Sequence, residues 1–354
     1  MNHNSQLKKL LEITIKEQAS DLHLTVDYHP TLRINSKLVP LIREEKLSPE
    51  DSQNLAFALM KEEQRERFLK EKEIDFSYNF EDKSRFRVNV FFQKGYVSSV
   101  LRLIPTKIKT IEELGLPPIL NDFAKTSQGF VVICGPSSQG KSTTLAAIID
   151  QINHTSAEHI VTIEDPIEYV FEPDKAIIDQ REVGLDTLSF PRALRSTFRQ
   201  DPDVIMVGEM RDPETMATAI TAAETGHLVL ATLHTNSASQ TIHRIVDSFP
   251  PEQQNQIRAQ LSASLLGVVS QRLVPNIKGG LIPACEILIA TPAVANLIRE
   301  NKIHEIPLII ETNAEIGMNS LNRSLADLVR RKEISIENAF NYSLKPSELR
   351  MLIK

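Results

Sequence analysis

An unbroken phosphate-binding motif lies near the middle of the chain. Residues 135–142 read GPSSQGKS and match the pattern G-x-x-x-x-G-K-[ST] without a gap. An apolar run, FVVICG, leads into the motif, and a helix-like run, TTLAAIIDQI, follows it. Glycines in such a loop let backbone N–H groups curl around phosphate oxygens at a helix N-terminus, where the helix dipole favours negative charge. The motif therefore predicts a nucleotide site.

Two side chains of this loop supply its charge chemistry. We expect Lys141 to neutralise the β and γ phosphates and the Ser142 hydroxyl to bind Mg²⁺. ATP and Mg²⁺ are thus the expected ligands. The residues predicted to contact the nucleotide are Gly135, Pro136, Ser137, Ser138, Gln139, Gly140, Lys141, Ser142 and Thr143.

A second apolar run, DVIMVGE, ends in the carboxylate of Glu209. We expect this strand to lie beside the P-loop strand, which would hold Glu209 at the carboxyl edge of the sheet, where α/β folds bind ligands. There Glu209 would bind Mg²⁺, directly or through water, or activate the attacking water. Taken alone, the run is equally typical of a buried strand with a solvated Glu at its end. The neighbouring P-loop favours the catalytic interpretation.

A third run, HIVTIEDPIE, ends in a cluster of acids formed by Glu164, Asp165 and Glu168. Pro166 forces the chain out of the strand, so the acids are expected on a loop. A loop at that edge can place an acid near the γ-phosphate.

Two histidines and two arginines complete the candidate groups. His227 and His234 bracket the run HLVLATLH without metal-ligand company, which argues against a zinc site. Each is either a core or surface histidine, or a phosphate sensor or a contact across a subunit boundary. Arg87 and Arg102 lie on neighbouring strand-like runs. They are either surface charges or, in a ring, fingers that reach a neighbour's γ-phosphate.

The elements that position these groups form two domains, a fair expectation for 354 residues. The first hundred or so residues read as mixed helix and strand, as in RFRVNVF, whose alternation predicts a half-buried strand. Beyond a Pro- and Gly-containing connection, four apolar runs alternate with helical segments, which predicts a parallel sheet covered on both faces. From about residue 250 the chain reads as mostly helical, with one strand-like run at ACEILIA.

The helix expected to begin at Thr291-Pro292 has an apolar stripe formed by Val294, Leu297 and Ile298. Two interpretations stay open. The stripe is a docking surface that couples the chain to a load, or it is core packing.

Composition limits the classes of function. Apolar residues make up 41% and charged residues 24%, as in ordinary soluble globular proteins. A net charge of −6 argues against nucleic-acid binding. No run approaches the roughly 18 apolar residues of a membrane span. With no signal peptide and two cysteines, which exclude a disulfide framework, the cytoplasm is the expected compartment.

The longer motifs of the chain resemble those of the type II/type IV secretion ATPase superfamily, and within it the type IV pilus retraction ATPases. The resemblance is carried by GPSSQGKSTT, TIEDPIE, QREV, RSTFRQDPDVIMVGEMRD, TAAETGHLVLATLHT and FPPEQQNQIR, with ASDLHL and PTLRIN early and TPAVANLIRE late. It covers nearly the whole chain.

The resemblance implies an α/β protein with a RecA-like P-loop ATPase domain preceded by a smaller α+β, PAS-like domain. The expected boundaries are 1–104 for the PAS-like domain, 105–126 for a linker and 127–354 for the ATPase domain with its helical C-terminal region. It further implies a homohexamer at the cytoplasmic face of the inner membrane, an inner-membrane platform partner and a paralogous retraction ATPase as a further partner. The function implied is ATP-driven pilus retraction and twitching motility.

The family pattern also assigns roles to particular residues. It makes Glu168 the catalytic acid of the aspartate box together with Glu209, and it makes Arg87 and Arg102 interdomain arginines. The catalytic set implied is Glu168, Glu209, His234, His227, Arg87 and Arg102. Three departures from the pattern stand out. Ser138 replaces a glycine, and Ala295 and Cys285 stand where arginine and histidine are common.

Two other functions remain as alternatives. One is a pilus-assembly or type II secretion ATPase, although such members carry a long extra N-terminal region and a four-cysteine insertion that this chain lacks. The other is a non-hydrolysing regulatory subunit of a mixed ring, for which the altered P-loop is the only support.

Overall fold

The structure is a computed structural model, and it describes residues 3–34, 37–81, 84–104 and 107–353. The chain divides into two compact units. The first unit is Met1–Lys107 with Pro166–Val170, and the second is Ile108–Asp165 with Phe171–Lys354. The boundaries 1–104, 105–126 and 127–354, and the PAS-like assignment, stay predictions.

The first unit is a six-stranded antiparallel sheet with helices packed on it. The strand order is β3-β2-β1-β6-β5-β4. Its helices are α1 (His3–Lys16), α2 (Pro49–Ala58) and α3 (Glu62–Glu71), and its strands are β1 (Asp21–Leu24), β2 (Thr31–Ile34), β3 (Lys37–Pro40), β4 (Glu73–Phe80), β5 (Ser84–Gln93) and β6 (Tyr96–Ile104).

The predicted alternation along β5 is confirmed. Phe86, Val88 and Val90 are fully buried in the core of this unit, whereas Arg87 between them points to the other face of the pleat. In the antiparallel register of β5 and β6, Arg87 pairs directly with Arg102. The two arginines predicted on neighbouring strands therefore lie side by side.

The second unit is a seven-stranded sheet with helices around it, in the order β13-β12-β7-β11-β10-β8-β9. All neighbours are parallel except β12 and β13, so the predicted parallel α/β sheet is confirmed. Its strands are β7 (Gly129–Cys134), β8 (His159–Glu164), β9 (Ile177–Glu182), β10 (Val204–Val207), β11 (Leu228–Leu233), β12 (Leu265–Pro275) and β13 (Leu281–Ile289).

The helices of this unit alternate with its strands and then form the C-terminal region. They are α4 (Ile119–Phe123), α5 (Lys141–Thr155), α6 (Phe190–Thr197), α7 (Pro213–Glu224), α8 (Ala238–Asp247), α9 (Pro251–Ser264), α10 (Pro292–Arg299), α11 (Ile306–Thr312), α12 (Leu321–Arg330), α13 (Ile336–Tyr342) and α14 (Pro346–Ile353). Within the described ranges, no helix is both long and apolar enough to cross a membrane.

Two sequence-based expectations about this sheet are wrong. The strand that leads to Glu209, β10, does not lie beside the P-loop strand β7, because β11 pairs with both and separates them. The region after residue 250 also contains a second strand, β12, which was expected to be helical. Helix α9 ends at Ser264 and β12 begins at Leu265, so no turn segment marks the change.

The apolar stripe of α10 packs into the core. Val294 and Ile298 are fully buried, and Leu297 packs against the same cluster. Thr291 caps this helix with its side chain and Pro292 is its first residue, so the helix begins where the sequence predicted. The packing interpretation of the stripe is therefore the one that the structure supports.

Candidate functional site

The P-loop connects β7 to α5 and needs glycine at both of its ends. Gly135 has φ +148° and Gly140 has φ +79°, conformations that L-residues rarely adopt. A Cβ added at Gly135 would lie 2.5 Å from the carbonyl oxygen of Gln271 on β12, and one at Gly140 would lie 2.9 Å from the Gln271 amide nitrogen. The loop therefore curves tightly against β12 and leads into the N-terminus of α5.

Ser138 lies inside this loop in the left-handed region, with φ +61°. A non-glycine residue pays on the order of 1 kcal/mol for this conformation, because its Cβ crowds the neighbouring backbone. The position at which the family pattern has a glycine is thus one at which this backbone favours a glycine.

Lys141 begins α5 and is almost entirely buried. Its Nζ donates to the carbonyl oxygens of Gly135 and Pro136, both at 2.9 Å, and lies 3.3 Å from Nδ1 of His234. An ammonium group has no lone pair, so in this last contact Lys141 donates and Nδ1 accepts. The other ring nitrogen, Nε2, is then the one that carries a proton.

That donor faces Glu209. His234 Nε2 lies 3.2 Å from Glu209 Oε1, and Arg211 Nη2 donates to Glu209 Oε2 at 2.8 Å. Burial alone would raise the pKa of Glu209, but the hydrogen bond and charge of Arg211, with smaller contributions from His234 and Lys141, hold that pKa below its ordinary value. Glu209 is therefore a carboxylate at neutral pH, with its two oxygens facing two cationic or N–H donors.

The parallel sheet explains why these groups meet. In the strand register, Leu233 at the end of β11 pairs with Cys134 at the end of β7, and Val207 at the end of β10 pairs with Ala231. The chain segments that follow these three strands consequently leave the sheet at one edge. Lys141, His234 and Glu209 are brought together even though β10 and β7 are not neighbours.

Of the two acids at the end of β8, one is buried in the sheet and the other lies near the site. The Glu164 carboxylate accepts from Thr162 Oγ1 at 2.7 Å and from Gln180 Nε2 at 3.2 Å. Glu209, and more weakly Asp165, raises the pKa of the Arg211 guanidinium. Asp165 thus adds a second negative charge that stabilises the Arg211 guanidinium.

Glu168, Arg87 and Arg102 all belong to the first unit. Glu168 lies in the segment Pro166–Val170, and its Oε1 is 3.6 Å from Arg87 Nη1. Arg87 also donates to Asp75 on β4 at 2.6 Å, and Arg102 Nε donates to Asp21 on β1 at 3.0 Å. The structure thus places Glu168 against Arg87 in this unit.

His227 lies at the opposite end of β11 from His234. The seven residue steps from His227 along β11 to His234, at about 3.3 Å each, separate the two histidines by roughly 23 Å. His227 Nδ1 is 2.9 Å from the Ala222 carbonyl oxygen, and the ring meets Phe198 edge-on with centroids 5.7 Å apart. Within its own chain His227 therefore does not join Lys141 and Glu209. Its predicted contact across a subunit boundary stays a prediction.

The sequence did not single out Arg211 or Gln271. Arg211 lies two residues after Glu209 in GEMRD, where proximity to an expected catalytic acid could have drawn attention to it. Gln271 lies on β12, the strand that was expected to be helical, so nothing in the local pattern linked it to the P-loop.

The chain is similar over most of its length to type II/IV secretion system proteins and to pilus ATPases. The family model described as Type II/IV secretion system protein matches residues 3–317. The type IV pilus retractation ATPase PilT of Pseudomonas aeruginosa is 46% identical over 333 residues, covering 94% of this chain and 96% of that protein. The type IV pilus ATPase PilU of the same organism is 42% identical over 350 residues, covering 99% and 91%. A crystal structure of the pilus retraction motor PilT with bound ADP matches with a TM-score of 0.90 and 46% identity, covering 97% of this chain and 98% of that one.

Proposed function

Because the chain belongs to the family of type II/IV secretion system proteins, we propose that it is an ATP-hydrolysing motor that powers the retraction of type IV pili, and with it twitching motility. The family membership rests on a match to residues 3–317 and on a relative that is 46% identical over 94% of the chain. The relatives themselves are pilus ATPases, and one of their structures was obtained with ADP.

The observation that supports hydrolysis most strongly is the continuous contact from Lys141 through His234 to Glu209. When a nucleotide binds, Lys141 exchanges its two loop carbonyls for phosphate oxygens, because a charge-assisted bond to phosphate is the stronger one. His234 then lies between the phosphate-binding cation and the ionised carboxylate. Glu209 orients or deprotonates the attacking water, and the donors around it keep the carboxylate charged and fixed in place.

The residues fit a Mg²⁺ ion that is held mainly by the nucleotide. Among the described residues no group of three or more His, Cys, Asp or Glu side chains could hold a metal ion by itself. Mg²⁺ at phosphate sites keeps several waters and takes only one or two protein oxygens. Ser142 in the first turn of α5 and Glu209 are the oxygens that would hold it. When bound, it neutralises developing charge on the phosphates.

The proposal extends to a ring in which the first unit serves catalysis. Arg87 and Arg102 pair side by side on β5 and β6, and Glu168 contacts Arg87. In a homohexamer such arginines would reach the γ-phosphate at a neighbour's P-loop and act on the transition state. The further partners are an inner-membrane platform protein and a paralogous retraction ATPase, with the ring on the cytoplasmic face of that membrane.

The test of this function is complementation of a bacterium that assembles type IV pili but lacks its own retraction ATPase. The wild-type chain should restore retraction and twitching, whereas Lys141→Ala should restore neither. Restored pilus assembly in an assembly-deficient host, without any retraction, would instead support the assembly or secretion alternative. A purified chain without ATP turnover would support the regulatory-subunit alternative.

A further inference from the structure

A glutamine on β12 holds the P-loop and the first turn of α5 together. Gln271 is 2% exposed, and its Nε2 donates to the main-chain oxygen of Gln139 at 2.7 Å. Its Oε1 accepts from Thr144 Oγ1, also at 2.7 Å. Gln139 lies near the end of the loop and Thr144 lies within α5. One buried amide thus connects the loop, the helix and β12.

A second hydrogen bond joins the P-loop to β12. Gln139 Oε1 accepts from the Leu273 backbone N–H at 2.7 Å. Gly135 and Gly140 also lie so close to Gln271 that neither position has room for a Cβ. The second half of the P-loop is therefore packed closely against β12. The conformation around Ser138 and Gly140, with positive φ at both residues, is therefore maintained by polar contacts from outside the loop.

We propose that Gln271 is a positioning residue for nucleotide binding, which sets the curve of the P-loop before the phosphates arrive. This inference rests on the proposed ATPase function and adds a determinant of nucleotide affinity. A loop that is fixed by folding loses little further conformational freedom on binding, and its N–H groups already converge. If the amide is removed, the buried Thr144 hydroxyl and the half-buried Gln139 oxygen lose this partner, and the loop relaxes toward other conformations.

A purely structural role would also follow from burial, so the test separates stability from nucleotide affinity. Gln271→Met removes both amide bonds at similar volume. Thr144→Val removes the hydroxyl that Gln271 accepts from, and Thr144→Ser retains it. Thr197→Val is the matched control. Thr197 is equally buried, and its hydroxyl donates to the Ala193 carbonyl within α6, away from the P-loop.

The measurements are the melting temperature of the nucleotide-free protein, the Kd for ADP, and kcat and KM for ATP, all at a temperature at which every variant is folded. We expect Gln271→Met and Thr144→Val to raise the Kd for ADP and the KM for ATP about tenfold, the loss typical of a buried hydrogen bond. Thr144→Ser should restore both values. Thr197→Val should lower the melting temperature and leave the Kd and KM at wild-type values.

Wild-type affinity for ADP in both Gln271→Met and Thr144→Val, with a lowered melting temperature as in Thr197→Val, would overturn the proposal. If Gln271→Met fails to fold, the comparison of Thr144→Val with Thr144→Ser decides alone. If the wild-type chain binds ADP but does not hydrolyse ATP, the proposed function fails, and the Kd comparison still tests Gln271.

Discussion

His234 Nε2 and Glu209 Oε1 are 3.2 Å apart, although the two residues follow different strands of the sheet. On its other side the same imidazole contacts Lys141 at 3.3 Å. His234 therefore connects Lys141, which is expected to bind the phosphates, with Glu209, which is expected to orient or deprotonate the attacking water.

Replacement of His234 should reduce turnover more than it weakens binding. His234→Ala removes the ring that contacts both Lys141 and Glu209 and should lower kcat roughly 10- to 100-fold, the range for one interaction with a charged group, with a smaller change in KM. His243→Ala is the control, because His243 lies exposed on α8. Steady-state ATPase kinetics of the two variants provide the check. Equal turnover in both would remove His234 from the catalytic group.

Arg211 should set the acid limit of activity. Burial raises the pKa of Glu209 and Arg211 lowers it, so without Arg211 the carboxylate protonates at higher pH. In Arg211→Gln the acid limb of the pH–rate profile should shift to higher pH.

The stability that Glu209 gains from its lowered pKa is present above its unfolded pKa and is lost as pH falls through the folded pKa. Because Arg211→Gln raises the folded pKa and leaves the unfolded pKa unchanged, the variant should gain less of this stability. Arg244→Gln, an exposed change on α8, should leave both profiles unchanged. An unshifted acid limb in Arg211→Gln would contradict this assignment.

Two neighbouring serines should respond oppositely to glycine. Ser138 has φ +61°, whereas Ser137 is not among the residues with positive φ. Ser138→Gly relieves left-handed strain and should raise the free energy of unfolding by up to about 1 kcal/mol, after the extra entropy of glycine is subtracted. Ser137→Gly gains no such relief and should lower it by about 0.5–1 kcal/mol. Urea unfolding of the two variants measures the difference, and a loss of stability in both would refute the strain argument.

The arginines of the first unit should act on turnover only within an assembly. Arg87→Ala or Arg102→Ala should reduce kcat on the order of a thousandfold if either is an arginine finger, with little change in the Kd for ADP. Arg67→Ala, which breaks only an exposed pair with Glu71 on α3, is the control. Wild-type protein diluted until it is monomeric should lose activity to the same extent. A dilute monomer as active as the assembled protein would exclude a shared site.

The sequence predicted those parts of the site that are encoded locally. The P-loop motif, the carboxylate that ends DVIMVGE and the histidine that ends HLVLATLH each follow an apolar run, and parallel strands bring their ends to one edge. The expectation that the strand before Glu209 lies beside the P-loop strand is wrong because it depends on strand order, and β11 separates β10 from β7. Strand direction places His227 and His234 at opposite ends of β11. Gln271 could not be linked to the P-loop because its contacts join residues more than a hundred positions apart.

The proposed ATPase activity depends on Glu209 as the residue that orients or deprotonates the attacking water. It is tested most directly by single-turnover hydrolysis of ATP with purified Glu209→Gln beside Glu214→Gln, an exposed carboxylate at the start of α7. We expect Glu209→Gln to bind ATP with near wild-type affinity and to release phosphate at least a hundredfold more slowly, about the cost of one catalytic group. Glu214→Gln should match the wild type. Phosphate release by Glu209→Gln at the wild-type rate would exclude Glu209 as the residue that orients or deprotonates the attacking water.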